Sequence, residues 1–179
     1  MPVDRLSNIN WRLLTFKCRL ISQCGSATIS VIHTDELVSE FPEQTRSMRN
    51  ALAMRVGVSH NGMAQEVGLV PDLIFGLRFS DGSRRCFMVE IDRGTMPIKR
   101  TDVGQRSFAR KMRAYLAAQS AKQHEVQFGW KAFRVATVTT DRSRAQSMKE
   151  ALRELSAARS IGPALFWFAL RDELRPAVR

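Results

Sequence analysis

Three acidic residues, Asp72, Glu90 and Asp92, stand at the ends of two segments with the apolar pattern of buried β-strands. Glu90 and Asp92 are two residues apart, so on an extended strand both side chains point to the same face. If the strand that carries Asp72 lies alongside, three carboxylates meet in one small volume. Carboxylates removed from water are costly unless a cation meets them. The spacing therefore predicts a site that holds a divalent metal, a basic side chain or a shared proton.

The charge of the whole chain indicates the kind of partner. Over 179 residues, 28 Lys and Arg outnumber 17 Asp and Glu, which gives a formal net charge of +11. Such an excess favours a nucleic-acid partner over an anionic membrane surface or simple solubility. Acids gathered inside a basic protein suggest metal-assisted chemistry on a polyanion.

Seven basic residues lie between positions 93 and 113, against a single acid, Asp102. A surface that follows nucleic-acid phosphates needs this density, because each neutralised phosphate releases counterions. We therefore predict that the loop and helix after Asp92 bind DNA, the alternative being a solvated helix face. Six of the seven make up this predicted DNA surface: Arg93, Lys99, Arg100, Arg106, Arg110 and Arg113.

The elements that must position these residues follow from apolar periodicity. Strands are predicted at residues 27–33, 70–79, 84–91, 133–139 and 164–170, the last one buried on both faces. Helices are predicted at 7–24, 103–121 and 143–157, the third capped by Asp141 or Ser143. Asp81-Gly82 predicts a hairpin turn at 80–83. Residues 34–69 are predicted as an insert with a short helix around 43–55 and a loop at 59–65. This order implies an α/β fold with a mixed sheet flanked by helices.

The helix at 103–121 has one apolar stripe, formed by Phe108, Met112, Tyr115 and Leu116. Lys111 borders that stripe, so its ammonium group is expected to reach the acids at the sheet edge. Arg106, Arg110 and Arg113 fall on the opposite face and are expected to point to solvent or DNA.

A proline-aspartate at a strand start, an acid-x-polar triplet at the end of the next strand and a following helix resemble the PD-(D/E)xK nuclease superfamily. More narrowly, the pattern over roughly residues 70–170 resembles the replication-relaxation family of plasmid and mobile-element proteins. The strings that carry this resemblance are Pro71-Asp72, Glu90-Ile91-Asp92-Arg93-Gly94-Thr95, Lys111 with Tyr115, and Phe133-Arg134-Val135 leading into Val138-Thr139. The resemblance implies a single restriction-endonuclease-like domain over residues 1–179, with its core motifs at 70–170.

The resemblance also implies roles for the acids. Asp72 and Glu90 would hold Mg²⁺ or Mn²⁺ together with the carbonyl of Ile91, since hard ions prefer oxygen ligands. The position of the superfamily's lysine is occupied here by Asp92. Either Asp92 is a third metal ligand, or Lys111 takes the place of the lysine.

Two further interpretations, one of the acids and one of Tyr115, involve no metal. Arg93, Lys111 or Arg110 could neutralise Glu90 and Asp92 and hold strand to helix. Tyr115, the only tyrosine, is either a nucleophile for DNA transesterification or a core residue with its hydroxyl near the site.

The expected function is DNA binding in the replication, relaxation or transfer of a plasmid or mobile element, with metal-dependent nicking by Asp72, Glu90, Asp92 and Lys111. One alternative is an inactive nuclease-fold module that recruits a replication or conjugation protein. Another is a general basic interaction domain for RNA or protein. The oligomeric state stays open.

Three cysteines without metal-ligand spacing, Cys18, Cys24 and Cys86, predict reduced thiols in the cytoplasm. The N-terminus shows no signal-peptide pattern, and the longest apolar stretch, about residues 161–170, is shorter than the roughly 20 residues that span a bilayer. No membrane association is expected.

Overall fold

A five-stranded mixed sheet is the centre of the computed structural model, which describes residues 29–60, 63–100, 105–156 and 162–174. The strand order is β1–β4–β5–β6–β7, in which β1, β4 and β5 are antiparallel neighbours and β5, β6 and β7 are parallel. Its strands are β1 (Ser30–Ile32), β4 (Leu73–Arg78), β5 (Arg84–Ile91), β6 (Phe133–Thr139) and β7 (Phe166–Leu170). The remaining two, β2 (Met54–His60) and β3 (Met63–Leu69), form a separate antiparallel hairpin.

Helices connect the parallel strands, because parallel neighbours cannot be joined by a tight turn. The β5–β6 connection contains α3 and α4, and the β6–β7 connection contains α5 and α6. The described helices are α1 (Thr34–Ser39), α2 (Glu43–Arg46), α3 (Phe108–Ser120), α4 (Gln123–Phe128), α5 (Arg142–Ser156) and α6 (Gly162–Leu165), followed by a 3₁₀ turn at Asp172–Leu174. The predicted mixed α/β sheet with flanking helices is confirmed at this level.

Side chains alternate across the sheet and bury both of its faces. On one face Met88, Val135 and Phe166 belong to the same core cluster as Met112 of α3 and Met148 of α5. On the other face a smaller cluster forms around the stacked rings of Phe75 and Phe87, whose centroids are 4.8 Å apart; its other buried members are Leu77, Val89, Ala136 and Val138. Burial on both faces explains why the central strands are continuous apolar runs.

The insert at 34–69 differs from the prediction. Only Glu43–Arg46 of the predicted helix at 43–55 is helical, and most of the predicted loop at 59–65 belongs to the β2–β3 hairpin. Met54, Val56 and Val58 are buried whereas the residues between them are exposed, which is the period of a half-buried strand. The predicted loop at 59–65 and the end of the predicted helix at 43–55 were therefore wrong, since this alternation continues into a strand. In the sequence, Asn61-Gly62 was the hairpin signal.

Most other elements agree with their predicted ranges. The strands predicted at 84–91 and 133–139 have the same bounds as β5 and β6. The predicted hairpin turn is confirmed, and Gly82 in it has φ +78°. In the described residues, the predicted strands at 27–33 and 70–79 are shorter, and the predicted helices at 103–121 and 143–157 correspond to α3 and α5. Residues 27–28, 103–104 and 157 of these elements lie outside the described residues. Asp141 caps α5, because its Oδ1 accepts the Arg144 N–H at 2.9 Å. The predicted helix at 7–24 lies outside the described residues.

The last strand is the main exception. β7 is at the edge of the sheet, and four of its five residues are only half-buried. The expectation of burial on both faces was therefore wrong, and the first residues of that apolar run, up to Leu165, are helical in α6. In the described ranges, no helix has the length and apolarity needed to span a membrane.

Candidate active site

Glu90, near the carboxyl end of β5, is a buried carboxylate whose hydrogen-bond and ion-pair partners are side chains of α3. Its side chain is 2% exposed, Lys111 Nζ lies 2.5 Å from its Oε2, and the Tyr115 hydroxyl donates to its Oε1 at 2.7 Å. Lys111 and Tyr115 are four residues apart, so they lie one turn from each other on the same side of the helix. The expected approach of Lys111 to the acids is confirmed.

Asp72 lies beside Glu90 and is held there by the backbone of β5. Its N–H donates to the Val89 carbonyl at 2.9 Å, and its Oδ2 accepts the Ile91 N–H at 2.8 Å. Unlike Glu90, Asp72 is exposed to solvent. The start of β4, the end of β5 and α3 thus bring together Asp72, Glu90 and Lys111, which we call the carboxylate–lysine site.

The electrostatics of this site follow from burial. Burial raises the pKa of Glu90; the Lys111 ammonium and the Tyr115 hydroxyl oppose that rise, and the charge of Asp72 adds to it. Burial also raises the pKa of Tyr115 well above its ordinary value, and the Glu90 charge reinforces this. Tyr115 is 1% exposed and already donates to Glu90. The structure thus places it in the core with its hydroxyl in the site, poorly placed to attack a phosphate.

Asp92 has a different set of partners. Arg144 of α5 forms a two-pronged ion pair with its carboxylate, through Nε to Oδ2 and through Nη2 to Oδ1 at 2.8 Å. The Thr139 hydroxyl donates to Oδ2 at 2.7 Å, and the N–H of Gly94 donates to Oδ1 at 3.3 Å. Arg144 Nη2 also donates to the Met96 carbonyl at 2.5 Å. This Asp92–Arg144 clamp fixes the loop that leaves β5.

Burial works to raise the pKa of Asp92, but the hydrogen bonds from Arg144 and Thr139 and the Arg144 charge outweigh it and lower that pKa. Arg144 was not anticipated as a partner, since the sequence suggested Arg93, Lys111 or Arg110. No local signal identifies it, because the contact depends on the first turn of α5 lying above the end of β5.

The expected convergence of three carboxylates is not found among the described residues, where no three His, Cys, Asp or Glu side chains are grouped to hold a metal. Asp72 and Glu90 are the pair that remains. Asp72 has one carboxylate oxygen that accepts no described hydrogen bond, and both oxygens of Glu90 have partners. A divalent ion would fit this pair only where Lys111, a third exposed and flexible, moves aside from Glu90.

The predicted DNA surface is only partly exposed. Arg93, Lys99, Arg100 and Arg106 are exposed, and Lys99 pairs with Glu154 at 2.6 Å. The loop that carries them lines, with Arg144, a cavity of about 650 Å³.

Arg110 and Arg113, expected to face solvent or DNA together with Arg106, are half-buried, whereas Arg106 is exposed. Arg110 Nε is buried and has no hydrogen-bond partner in the described parts of the chain, and burial lowers the pKa of Arg113. The β2–β3 hairpin, which was not predicted, lies against this helix, α3.

The fold and the site define a mixed α/β protein with a carboxylate–lysine site beside a basic loop at one end of its sheet. Comparison with protein-family models, with curated proteins and with solved structures found no match. The resemblance to the replication-relaxation family therefore stays a prediction from the sequence.

Proposed function

We propose that this protein is a DNA-nicking enzyme of the PD-(D/E)xK type that acts in the replication, relaxation or transfer of a plasmid or mobile element. The observation that supports this most is the 2.5 Å contact between Lys111 Nζ and Glu90 Oε2 beside the exposed Asp72. Two carboxylates and a lysine at the carboxyl end of β5 can hold a metal ion and supply a positive charge, which metal-dependent phosphodiester hydrolysis can use.

The residues have distinct roles in this proposal. Asp72 and Glu90 would hold Mg²⁺ or Mn²⁺, and the bound ion would polarise the phosphate and lower the pKa of the attacking water. Lys111, once released from Glu90, places a positive charge near the phosphate oxygens that become more negative in the transition state. Tyr115 is a positioning residue, because its hydroxyl fixes the Glu90 carboxylate. Asp92, which is paired with Arg144, positions the loop that carries Arg93, Lys99 and Arg100 and is not a metal ligand in this proposal.

A second candidate, an inactive DNA-binding module that recruits a replication or conjugation protein, is favoured by a specific observation. Every oxygen of Glu90 and Asp92 already has a described partner, and Lys111 and Arg144 neutralise the two charges. Such pairs can hold strand to helix with no metal. The two candidates differ in metal binding and cleavage, not in DNA binding.

Supercoiled plasmid incubated with the protein and Mn²⁺ is expected to be nicked, and Glu90→Gln and Asp72→Asn are each expected to abolish the nicking. Glu150→Gln, an exposed carboxylate on α5, is the matched control and should nick like the wild type. Calorimetric titration with Mn²⁺ should show binding that Asp72→Asn weakens. DNA binding without metal binding or nicking would instead establish the inactive module.

The DNA surface is tested by salt dependence. Arg100→Ala with Arg106→Ala is expected to weaken duplex binding and to reduce the slope of log affinity against log salt by about 1–2, because each lost phosphate contact removes roughly 0.9. The control is Arg153→Ala, an exposed arginine on α5, which should leave the slope unchanged. An equal effect of both variants would place the DNA surface elsewhere.

A further inference from the structure

Thr137, near the carboxyl end of β6, has a buried hydroxyl group without a use in the sheet. The residue is 0% exposed, and its Oγ1 has no hydrogen-bond partner in the described parts of the chain. A buried hydroxyl that makes no hydrogen bond is costly, and valine would fill the same space without that cost. The presence of threonine here therefore points to a second arrangement of the neighbouring side chains in which the hydroxyl is used.

The neighbours of Thr137 across the sheet leave one candidate acceptor. Its register partners are Glu90 on β5 and Phe168 on β7. Side chains of register partners stand on the same face of adjacent strands, which are about 4.8 Å apart. Met88 and Val135, the register pair two residues earlier, both belong to the core on the α3 side of the sheet. Since phenylalanine has no polar atom in its side chain, Glu90 is the adjacent carboxylate that the hydroxyl can reach.

A second acid–threonine pair on the same two strands shows what this relation produces. Asp92 follows β5, and its N–H donates to the Val138 carbonyl at 2.8 Å, which places it beside Thr139. The Thr139 hydroxyl donates to Asp92 Oδ2 at 2.7 Å. Thr137 has the same position relative to Glu90, two residues earlier on both strands, but its hydroxyl makes no such bond.

The reason for this difference is the helix above Glu90. Lys111 Nζ lies 2.5 Å from Oε2, and the Tyr115 hydroxyl donates to Oε1 at 2.7 Å, so both oxygens already have partners on α3. Of these two partners, Lys111 has a side chain that is 33% exposed, whereas Tyr115 is 1% exposed. Lys111 is therefore the partner that can move into solvent and free a carboxylate oxygen of Glu90.

We propose that Thr137 is a positioning residue of the carboxylate–lysine site, whose hydroxyl donates to Glu90 once Lys111 has left that carboxylate. This inference rests on the proposed function, in which Asp72 and Glu90 hold a metal ion and Lys111 turns to the phosphate. A carboxylate has about four lone-pair positions, so Glu90 can accept from Tyr115 and Thr137 and still bind the ion. The two hydroxyl groups would then fix its orientation from opposite elements, the helix and the sheet.

Urea denaturation in the absence of metal tests the contact itself. Thr137→Val keeps the shape of the side chain and removes the hydroxyl, so in the wild-type background the urea midpoint should stay the same or rise. In the Lys111→Met background, Glu90 Oε2 has lost its ammonium partner and should accept the Thr137 hydroxyl. There, Thr137→Val is expected to lower the folding equilibrium constant about fivefold, the effect of one hydrogen bond.

Thr139→Val is the matched control for this comparison. Thr139 is buried on the same strand, and its hydroxyl already has a partner. Its loss should therefore lower stability by the same factor in the wild-type and Lys111→Met backgrounds. An effect of Thr137→Val that is equal in the two backgrounds would overturn the proposal, whether or not the protein binds metal.

Calorimetric titration with Mn²⁺ tests the role of the contact in the site. Thr137→Val is expected to weaken Mn²⁺ binding about fivefold, because Glu90 loses one of the groups that orient it, and Thr137→Ser should restore the affinity. Wild-type affinity in the Thr137→Val protein would overturn the positioning role. A wild-type protein that does not bind Mn²⁺ would refute the proposed function instead, and the urea comparison would still decide whether Thr137 binds the released Glu90.

Discussion

Arg144→Ala is expected to lower the free energy of unfolding by about 3–5 kcal/mol, because it leaves a buried carboxylate without its cation. The Asp92 side chain is 2% exposed and that of Arg144 16%, so the native ion pair is largely shielded from water. The variant also removes the hydrogen bond to the Met96 carbonyl. The loop after β5 should therefore loosen as the domain loses stability.

Urea denaturation at neutral pH measures this effect, and Arg142→Ala is its matched control. Arg142 lies one residue after the cap of the same helix, but its side chain is 88% exposed and its pairing with Glu173, at 3.5 Å, is a surface contact. Its loss should cost less than about 1 kcal/mol. Equal losses in the two variants would contradict the role assigned to the clamp.

The pH dependence of the unfolding free energy of Arg144→Ala distinguishes the contribution of the Arg144 charge from that of its packing. The pKa of Asp92 is lowered in the folded protein, so its stabilising effect is present above its ordinary value of 3.8 and is lost as pH falls through the folded value. The difference between wild type and Arg144→Ala should therefore shrink below pH 3.8. A difference that is constant with pH would mean that Arg144 acts through its apolar stem.

Strands β5 and β6 could be predicted to the residue because each is an apolar run that ends at charged or turn-forming residues. The β2–β3 hairpin was harder, since Gly57 and Gly68 interrupt its strands and weaken their β-propensity. Without the hairpin, the prediction also lacked one of the elements that lie against α3.

In the candidate site, too, local sequence pattern predicts some contacts and not others. Lys111 could be predicted because Phe108, Met112 and Tyr115 fix which side of α3 faces the sheet. A residue that borders this stripe can reach the end of β5. Arg144 could not be predicted, since it is 52 residues from Asp92 and no periodicity says which helix lies above the end of β5. Local pattern thus located the acids and the cation of Glu90, whereas the cation of Asp92 was identified only by the tertiary arrangement.

Lys111→Met is expected to reduce plasmid nicking by about 10²–10³-fold, the usual effect of removing one group that stabilises transition-state charge. Methionine keeps most of the apolar stem of the lysine side chain but cannot neutralise Glu90. The cost to the free energy of unfolding should be only about 1–3 kcal/mol, below that of a fully buried pair, because the Lys111 side chain is 33% exposed. The pKa of Glu90 is already raised, so a proton can partly replace the ammonium.

Lys111→Arg distinguishes a catalytic lysine from a structural ion pair. A guanidinium group keeps the charge and can still pair with Glu90, so stability should stay close to that of the wild type. Its planar, extended geometry differs from that of an ammonium group, and nicking should therefore stay low. Measured side by side, nicking rates and urea midpoints should separate: both variants lose activity, but only Lys111→Met loses stability. Wild-type nicking by a folded Lys111→Met protein would show that Lys111 does no more than balance the charge of Glu90.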